Sequence, residues 1–320
     1  MEQETITQLL LDLGDSDNRN SLNGVKSPKN TLNDLTGKEW IYRTNSIELF
    51  ESSESERELN KYMVELIESK YSTKGKESYA HEIRKIHPSP KPPQLLKSCI
   101  EFFSKRGELI FDPFVGVGGT LIASSLCNRK AIGIDLSEKY ISVYNEAAKK
   151  LNLEIQQTII GNAKNIEKMK ELANIEFDLI LTDPPYSNMM AKKKTGEASK
   201  KKKDVSPTPF TNSVEDIGNL KLEDFLNELK IIIELSFKKL KNKRYILIFT
   251  KDFQPTPEYN GMLHHDIVTK LVDIEGLFYK GFKIWYDKTI NLYPYGYPYA
   301  YVGNQLHQYI LIFRKEINKK

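Results

Sequence analysis

The sequence predicts an α/β protein with a doubly wound, mostly parallel sheet. Apolar strand-like segments alternate with amphipathic helical segments over residues 94–314, a pattern typical of parallel strands joined by helices. A glycine-rich turn at residues 112–120 lies between the first of these strands and its helix. A second distinctive turn, Asp-Pro-Pro-Tyr at residues 183–186, closes a later strand. Ligands bind such sheets at the edge where the strands end, so we expect both turns to belong to one site.

The strands and helices are expected in a regular order along the chain. Seven strands are predicted, at residues 109–111, 131–135, 157–160, 177–182, 245–249, about 277–286 and about 307–314. Helices are predicted at residues 94–104, 120–126, 138–151, 166–172, 222–240 and 265–272. A proline-rich segment at residues 87–93 precedes the first helix. It should be extended, because proline lacks a backbone donor and restricts the residue before it.

The chain divides into a polar N-terminal extension, residues 1–80, and one globular domain, residues 81–320. Residues 1–39 are rich in Asn, Asp and Ser. An apolar cluster at residues 6–13 is expected to form one or two helical turns, and we expect the rest to be loose or to order only on a partner. Residues 40–79 have a helical pattern, carried by Leu59, Met63, Leu66 and Ile67.

Two stretches of the globular domain are candidates for recognition of the target. One is a polar insert at about residues 187–220. The other, at about residues 252–305, is a candidate target-recognition segment. His264 and His265 lie within it and lack a spaced third ligand, so we interpret them as a helix start rather than a metal site.

Composition excludes several classes of protein. The 320 residues include 47 Lys and Arg against 43 Asp and Glu, a net charge of +4 that is compatible with a polyanionic partner. No apolar run reaches the ~18 residues that span a membrane. The acidic start, residues 1–4, is unlike an export signal. Two cysteines, Cys99 and Cys127, cannot build a disulfide framework or a cysteine-rich zinc site. We therefore expect a cytoplasmic protein without metal or membrane contact.

The glycine turn and the acid after the second strand predict a nucleoside-binding edge. Gly116, Gly118 and Gly119 allow a tight turn and the close approach of a ligand to the backbone. Asp135 ends the second strand, where a carboxylate accepts hydrogen bonds from ribose hydroxyls. A nicotinamide cofactor would require G-x-G-x-x-G, and the third glycine of that pattern is missing. A plain strand-to-helix turn remains the alternative for the glycines alone.

The Asp-Pro-Pro-Tyr turn is the most specific feature of the sequence. Two prolines directly after an apolar strand end its ladder and fix a rigid exit. Asp183 and the Pro184 carbonyl are both acceptors, so the group they recognise should carry two N–H bonds, as an exocyclic amine of a base does. Accepting both hydrogens makes the amine nitrogen more nucleophilic. Tyr186 offers a ring on which the base can stack.

These motifs resemble those of the amino-methylating DNA methyltransferases that use S-adenosylmethionine. Residues 112–120 look like the family's cofactor loop, residues 183–186 like its catalytic motif, and residues 87–92 like its His-Pro-Thr-x-Lys-Pro segment. The resemblance implies a Rossmann-like class I methyltransferase fold. It implies that Asp183, Pro184, Pro185 and Tyr186 are catalytic. It further implies that Ser89 and Lys91 hold the methionine end of the cofactor and that Asn162 lies near its adenine. The complete predicted cofactor set is Ser89, Lys91, Asp112, Pro113, Phe114, Gly116, Gly118, Gly119, Thr120, Asp135 and Asn162.

An Asp-first motif in this family favours adenine N6 as the methylated atom, whereas Ser-first motifs often accompany cytosine N4. Carbon-5 methylation of cytosine is disfavoured, because it needs a nucleophilic cysteine and both cysteines have the pattern of core residues. The predicted activity is therefore DNA methylation in a restriction-modification or orphan modification role. An RNA methyltransferase acting on guanine N2 or adenine N6 is the main alternative, and a DNA methyltransferase acting on cytosine N4 is a second. A catalytically idle DNA-binding subunit of a modification complex is another.

Two further segments are predicted to contact the substrate. A lysine-rich insert beside the catalytic turn can neutralise phosphates, although such runs are often only solvated loops. A strip of alternating tyrosines and turn residues at 292–301 is a candidate lining for a flipped base, or a loop that packs under the sheet. The predicted substrate-binding residues are Lys192, Lys193, Lys194, Lys200, Lys201, Lys202, Lys203, Tyr293 and Tyr295. The expected partners are DNA and a possible partner chain for target recognition.

Overall fold

One eight-stranded sheet organises the protein. The computed structural model describes residues 30–35, 40, 47–49, 78–189, 209–257, 259–286, 301 and 303–317. The strands are β1 (Ile47–Leu49), β2 (Leu109–Asp112), β3 (Lys130–Asp135), β4 (Gln157–Ile160), β5 (Phe177–Thr182), β6 (Leu240–Thr250), β7 (Leu277–Tyr286) and β8 (His307–Lys315). Their order across the sheet is β1-β7-β8-β6-β5-β2-β3-β4.

The direction of the strands confirms the predicted doubly wound class. Strand β8 runs antiparallel to both of its neighbours, β6 and β7, and the remaining pairs are parallel. The chain moves outward from β2 to β3 and β4, then crosses back to β5 and β6. The switch between β2 and β5 places the ends of these two strands on either side of a crevice, which is where such sheets bind ligands.

In the described part of the chain, six α-helices cover the two faces of the sheet: α1 (His81–Arg84), α2 (Pro93–Phe103), α3 (Gly119–Leu126), α4 (Glu138–Lys150), α5 (Leu222–Lys238) and α6 (Leu263–Leu271). Successive strand residues point to opposite faces, so Ile110 packs with α2, α3 and α4 whereas Phe111 packs with α5 and α6. Phe111 stacks on Phe177 of β5 at 4.3 Å, which joins two neighbouring strands on one face. Within the described ranges, none of these helices has the length and apolar character needed to cross a bilayer.

The predicted helix at residues 166–172 is wrong. The structure has two short 3-10 helices there, Ala163–Lys168 and Lys170–Leu172. The Asn162 side chain accepts from the Lys164 amide at 2.9 Å and starts a tight turn, and Met169 adopts an extended conformation between the two turns. Ile166 and Leu172 are both fully buried, so the two short helices bury the same apolar side chains that one longer helix was expected to bury.

The seven predicted strands all form, but the sheet has eight strands rather than seven. The eighth, β1, pairs in parallel with β7 and lies in the stretch predicted to be helical. The positions that carried the helical pattern, residues 59–67, and the apolar cluster at residues 6–13 lie outside the described residues. The expected start of a helix at His264 and His265 is confirmed by α6.

Part of the N-terminal extension is packed against the domain, whereas we expected residues 1–39 to be loose. The Asn33 side chain donates to the Phe102 carbonyl at the end of α2, and Lys105 donates to the Asn30 carbonyl at 2.8 Å. Asn30 accepts from the Leu32 and Asn33 amides, which folds this short segment on itself. The division at residue 80 stays a prediction.

Replacing Gly118 by Ala should destabilise the fold more than replacing Gly107 by Ala. Both glycines have positive φ, +75° and +78°, so each substitution carries a backbone cost of about 1–2 kcal/mol. An alanine Cβ at Gly118 would lie 2.0 Å from Cδ2 of Tyr144, whereas nothing lies within 4 Å at Gly107. Overpacking should therefore add about 1–3 kcal/mol at Gly118 alone. Urea unfolding of both variants measures the difference, and equal losses would show that Tyr144 is not the constraint.

Candidate active site

A cavity of about 140 Å³ lies at the carboxyl ends of β2, β3 and β5. It is lined by every residue of the predicted cofactor set except Gly118, and by all four residues of the predicted catalytic turn. The two motifs are about 70 residues apart in the chain, and the parallel strands bring them to one edge. The position agrees with the binding edge that the sequence predicts.

Asp112 connects the cofactor loop to the catalytic strand. Its buried carboxylate accepts from the Thr120 hydroxyl at 2.6 Å, from the Thr182 hydroxyl at 2.7 Å and from the Phe114 amide at 3.0 Å. Burial, opposed by these hydrogen bonds, raises the pKa of Asp112 to about 6. Asp112 and Thr120 line the predicted cofactor cavity, but their polar atoms are used to hold the loop in shape.

Asp135 lies at the other side of the cavity, at the end of β3. One carboxylate oxygen accepts from the Gly116 amide at 2.9 Å, and the other accepts from the Ser137 amide at 2.8 Å. Burial is the main cause that raises the pKa of Asp135 to about 6. Each oxygen retains a lone pair for a ligand hydroxyl, so the geometry is compatible with the predicted contact to ribose.

Both oxygens of the Asp183 carboxylate are engaged by side chains. Lys91 Nζ donates to Oδ2 at 2.6 Å, and the Tyr186 hydroxyl donates to Oδ1 at 2.8 Å. Lys91 Nζ also lies 3.1 Å from the Tyr186 oxygen, and the Gln308 carboxamide lies 3.2 Å from it. Burial and the neighbouring carboxylate raise the pKa of Tyr186 well above its usual value, so its hydroxyl keeps the proton that it shares with Asp183.

Sequence reasoning missed Arg84, a fully buried cation that lines the cavity. Its guanidinium donates to the Val117 carbonyl at 3.2 Å and to the Lys91 carbonyl at 2.9 Å. Burial lowers its pKa to about 10, and the group still remains protonated at neutral pH. Arg84 thus joins the glycine loop to the proline-rich segment. A single arginine before that segment carried no sequence signal.

His87 is the first residue of the proline-rich segment, and the sequence predicts no role for it. It lies between Tyr140 and Phe210, with ring centroids 4.9 and 5.1 Å away. Its Nδ1 accepts from the Ser89 amide at 3.2 Å, which shapes the turn that carries Ser89 into the cavity lining. Burial, with the nearby Lys91 and Arg84, lowers the pKa of His87 to about 3, so the imidazole is neutral.

Residues 209–219, the end of the predicted insert, form one wall of the cavity. The Tyr140 hydroxyl donates to the Phe210 carbonyl at 2.7 Å. Asp216 accepts from the Thr211 amide and hydroxyl and from the Gly218 amide, which closes the segment into a compact loop. Phe210, Thr211 and Asp216 all line the cavity, although the sequence gave them no signal beyond their polar composition.

Several predicted site residues lie outside the described residues. These are the substrate-binding lysines and tyrosines, Lys192, Lys193, Lys194, Lys200, Lys201, Lys202, Lys203, Tyr293 and Tyr295, and their roles stay predictions. Cys99 and Cys127 are buried, as expected for core residues. Burial raises the pKa of the Cys127 thiol to about 12, which removes the thiolate that a nucleophilic mechanism would need.

The cavity residues fit S-adenosylmethionine. Gly116 has φ +51°, and a Cβ there would lie 3.2 Å from Nε2 of His87, so a side chain would narrow the cavity wall. Asp135 supplies carboxylate lone pairs for hydroxyls at one end of the cavity, and Asn162 lies in the same lining. Lys91 lines the same cavity and supplies an ammonium group that suits a carboxylate.

Comparisons with known proteins agree with this site. Residues 17–146 match the family model described as DNA methylase, and residues 98–234 match the model described as conserved hypothetical protein 95. The first match covers the proline-rich segment and the cofactor loop, and it also extends into the predicted N-terminal extension. The predicted resemblance to the DNA amino-methyltransferases is confirmed by this match, and S-adenosylmethionine is confirmed with it as the cofactor.

Curated relatives include methyltransferases that act on two kinds of nucleic acid. A tRNA (guanine(10)-N2)-dimethyltransferase of Methanocaldococcus jannaschii is 33% identical over 124 residues, which are 38% of this chain and 35% of that protein. The Type II methyltransferase M.HpaI of Haemophilus parainfluenzae is 38% identical over 68 residues, 21% of this chain and 22% of the relative. The chain therefore spans about a third or less of the length of these relatives. Among solved structures, TrmN from Thermus thermophilus has a TM-score of 0.47 at 14% identity, covering 74% of this chain and 53% of that one.

The affinity for S-adenosylhomocysteine should fall as pH decreases from 7 to 5, because Asp135 gains a proton with a pKa of about 6. Protonation removes a charged acceptor from the expected ribose contact, and one pH unit below the pKa corresponds to about a tenfold loss of the ionised form. Asp135→Asn should bind S-adenosylhomocysteine about tenfold or more weakly than the unmodified protein at pH 7, and its affinity should depend less on pH. Calorimetry measures both. Asp273→Asn, on the exposed surface after α6, is the control that should keep the profile of the unmodified protein. A steep profile in Asp135→Asn would assign the titration to another group.

Proposed function

We propose that this chain, whose fold and motifs are those of S-adenosylmethionine-dependent methyltransferases, methylates the exocyclic amine of a flipped DNA base, with adenine N6 as the acceptor. The observation that carries the proposal is the placement of Asp183 and Pro184 in the wall of the cofactor cavity, directly after a buried strand. The match of residues 17–146 to a family described as DNA methylase supports DNA as the substrate.

The two prolines of the catalytic turn supply carbonyl acceptors and no backbone donors. Pro184 and Pro185 both lack an N–H, so a primary amine beside the turn meets the Asp183 carboxylate and the Pro184 carbonyl. An amine that donates both hydrogens to these groups loses conjugation with the base ring, and its nitrogen lone pair becomes available for attack. The rigid turn then supplies orientation, which is the main catalytic contribution expected of this site.

When bound, S-adenosylmethionine supplies a methyl group on a positively charged sulfur, whose C–S electron pair returns to the sulfur as the amine nitrogen forms the new bond. Asp183 stabilises the positive charge that develops on the nitrogen, because its carboxylate lies at the amine. The same carboxylate is placed to accept the proton that the methylated amine releases. Tyr186 is proposed to stack on the flipped base, since the amine is otherwise held in a base pair.

A tRNA guanine-N2 methyltransferase is the second candidate function. The match to the Methanocaldococcus jannaschii tRNA enzyme extends over 124 residues, against 68 residues for M.HpaI. Guanine N2 is also an exocyclic amine with two hydrogens, so the acceptors of the catalytic turn suit both bases.

Transfer of a tritiated methyl group from S-adenosylmethionine to DNA and to tRNA, followed by nucleoside analysis, tests the proposed function. We expect N6-methyladenine in DNA. Asp183→Asn should retain less than about a tenth of the activity, because it loses the charge that stabilises the developing cation, a loss of more than about 1.4 kcal/mol of transition-state stabilisation. The variant should bind S-adenosylhomocysteine at least as tightly as the unmodified protein. Label in tRNA as N2-methylguanine would favour the second candidate, and label in neither would contradict both.

The lysine-rich insert should contribute to DNA affinity without selecting sequence. Replacing Lys192–Lys194 and Lys200–Lys203 by Ser should flatten the slope of log affinity against log salt by about 0.9 for each lost phosphate contact, because fewer counterions are released. The methylated sites should stay the same, since phosphate contacts do not distinguish bases. A variant with Lys230 and Lys238 changed to Ser, both on α5, is the control. Equal slopes of log affinity against log salt in the variant and the unmodified protein would show that the insert is a solvated loop.

A further inference from the structure

The inference concerns Lys91 and rests on the proposed function. In the structure the ammonium group of Lys91 donates a hydrogen bond to Asp183, the carboxylate that is proposed to bind the amine of the target base. Lys91 Nζ lies 2.6 Å from Asp183 Oδ2, and the side chains are 5% and 22% exposed. The Tyr186 hydroxyl occupies Oδ1 at 2.8 Å. Each Asp183 oxygen keeps a second lone pair, but the Lys91 ammonium neutralises the charge with which Asp183 would attract the amine of the base.

Tyr186 has less freedom to give way than Lys91 has. Its single hydroxyl proton goes to Asp183, and its oxygen accepts from Lys91 at 3.1 Å. The Oε1 oxygen of Gln308 lies 3.2 Å from the Tyr186 hydroxyl and is a second, more distant acceptor for it. The Tyr186 hydroxyl thus lies between Asp183 and β8, and its shorter contact is the 2.8 Å bond to Asp183, which we expect to persist.

The backbone of Lys91 is fixed, so any movement is confined to its side chain. The buried Arg84 guanidinium holds the Lys91 carbonyl at 2.9 Å, and the Pro92 and Pro93 that follow restrict the chain. An ammonium group on a flexible four-carbon stem can turn about this fixed point. A cation buried in the cavity wall does not lose one carboxylate without gaining another anionic partner, because unpaired burial is costly.

S-adenosylmethionine contains one carboxylate, at its methionine end, and Lys91 lines the cavity that the cofactor fits. We propose that Lys91 is a positioning residue shared between two carboxylates: it pairs with Asp183 until the cofactor carboxylate takes the ammonium, and Asp183 is then free to accept the amine of the base. Cofactor binding therefore prepares the catalytic carboxylate, and productive binding of the base follows it.

A double-mutant cycle with two ligands tests the proposal without nucleic acid. The ligands are S-adenosylhomocysteine and 5′-methylthioadenosine, which share the adenosine and sulfur but differ in the amino-acid end. Calorimetry gives the affinity of each for the unmodified protein, Lys91→Met, Asp183→Asn and the double variant. Lys97→Met, a partly exposed lysine on α2 that pairs with Glu101, is the matched control and should leave both affinities unchanged.

Lys91→Met should weaken the affinity for S-adenosylhomocysteine by about tenfold or more, because a charge-assisted contact is lost. The affinity for 5′-methylthioadenosine should change by less than about twofold. Asp183→Asn should increase the affinity for S-adenosylhomocysteine by about three- to tenfold, since the Asp183 carboxylate no longer competes with the ligand carboxylate for Lys91. In the Lys91→Met background, Asp183→Asn should have no effect on either ligand. Lys91→Arg should restore most of the preference for S-adenosylhomocysteine.

Three results would overturn the proposal. Unchanged S-adenosylhomocysteine affinity in Asp183→Asn would show that the two carboxylates do not compete, and this arm does not depend on the folding of Lys91→Met. Equal weakening of both ligands in Lys91→Met would assign Lys91 a structural role. S-adenosylhomocysteine that fails to bind the unmodified protein would contradict the proposed function, and the inference with it.

Discussion

The buried carboxylate of Asp112 is the constraint on which the active-site geometry depends. It lies at the end of β2 and accepts hydroxyl hydrogens from both Thr120 in α3 and Thr182 in β5. Thr182 directly precedes Asp183 in the chain. One side chain therefore fixes the cofactor loop relative to the catalytic turn, across the crevice between β2 and β5. Loss of its hydrogen bonds would separate the two halves of the site without touching either ligand.

Arg84 provides a comparable constraint from the other side of the loop. Its bonds to the Val117 and Lys91 carbonyls connect the glycine loop with the proline-rich segment. Together with Asp112, it makes the three motifs one rigid unit around the cavity. In the proposed function, the acceptors at the centre of that unit bind an amine, and they do not distinguish adenine from guanine. The identity of the base then depends on other residues around the turn.

The sequence predicted the strands well because each is an apolar run bounded by clear turn residues. It failed at residues 166–172, where the Asn162 cap and an extended Met169 produce two short turns from an apolar spacing that resembles a helix. The prediction was also wrong at β1, because three residues are too few to show the alternating pattern of a strand within a segment that resembles a helix. Only the motif residues in the lining of the cavity were predicted. The contacts of Lys91 with Asp183 and of Tyr140 with Phe210 were not, because they join residues 92 and 70 positions apart.

The position of β8 has a consequence for how the chain is synthesised and folded. This strand follows β7 in the sequence but lies between β6 and β7 in the sheet. Before residues 307–315 leave the ribosome, β7 and β1 have no neighbour through which to join the strands that carry the cofactor loop. Without β8, the strand order divides into β1-β7 and β6-β5-β2-β3-β4, each with an unpaired edge of the kind that associates with other chains. Insertion of β8 joins them, and it also delivers Gln308 to Tyr186, so the catalytic cluster is completed at the same moment as the sheet.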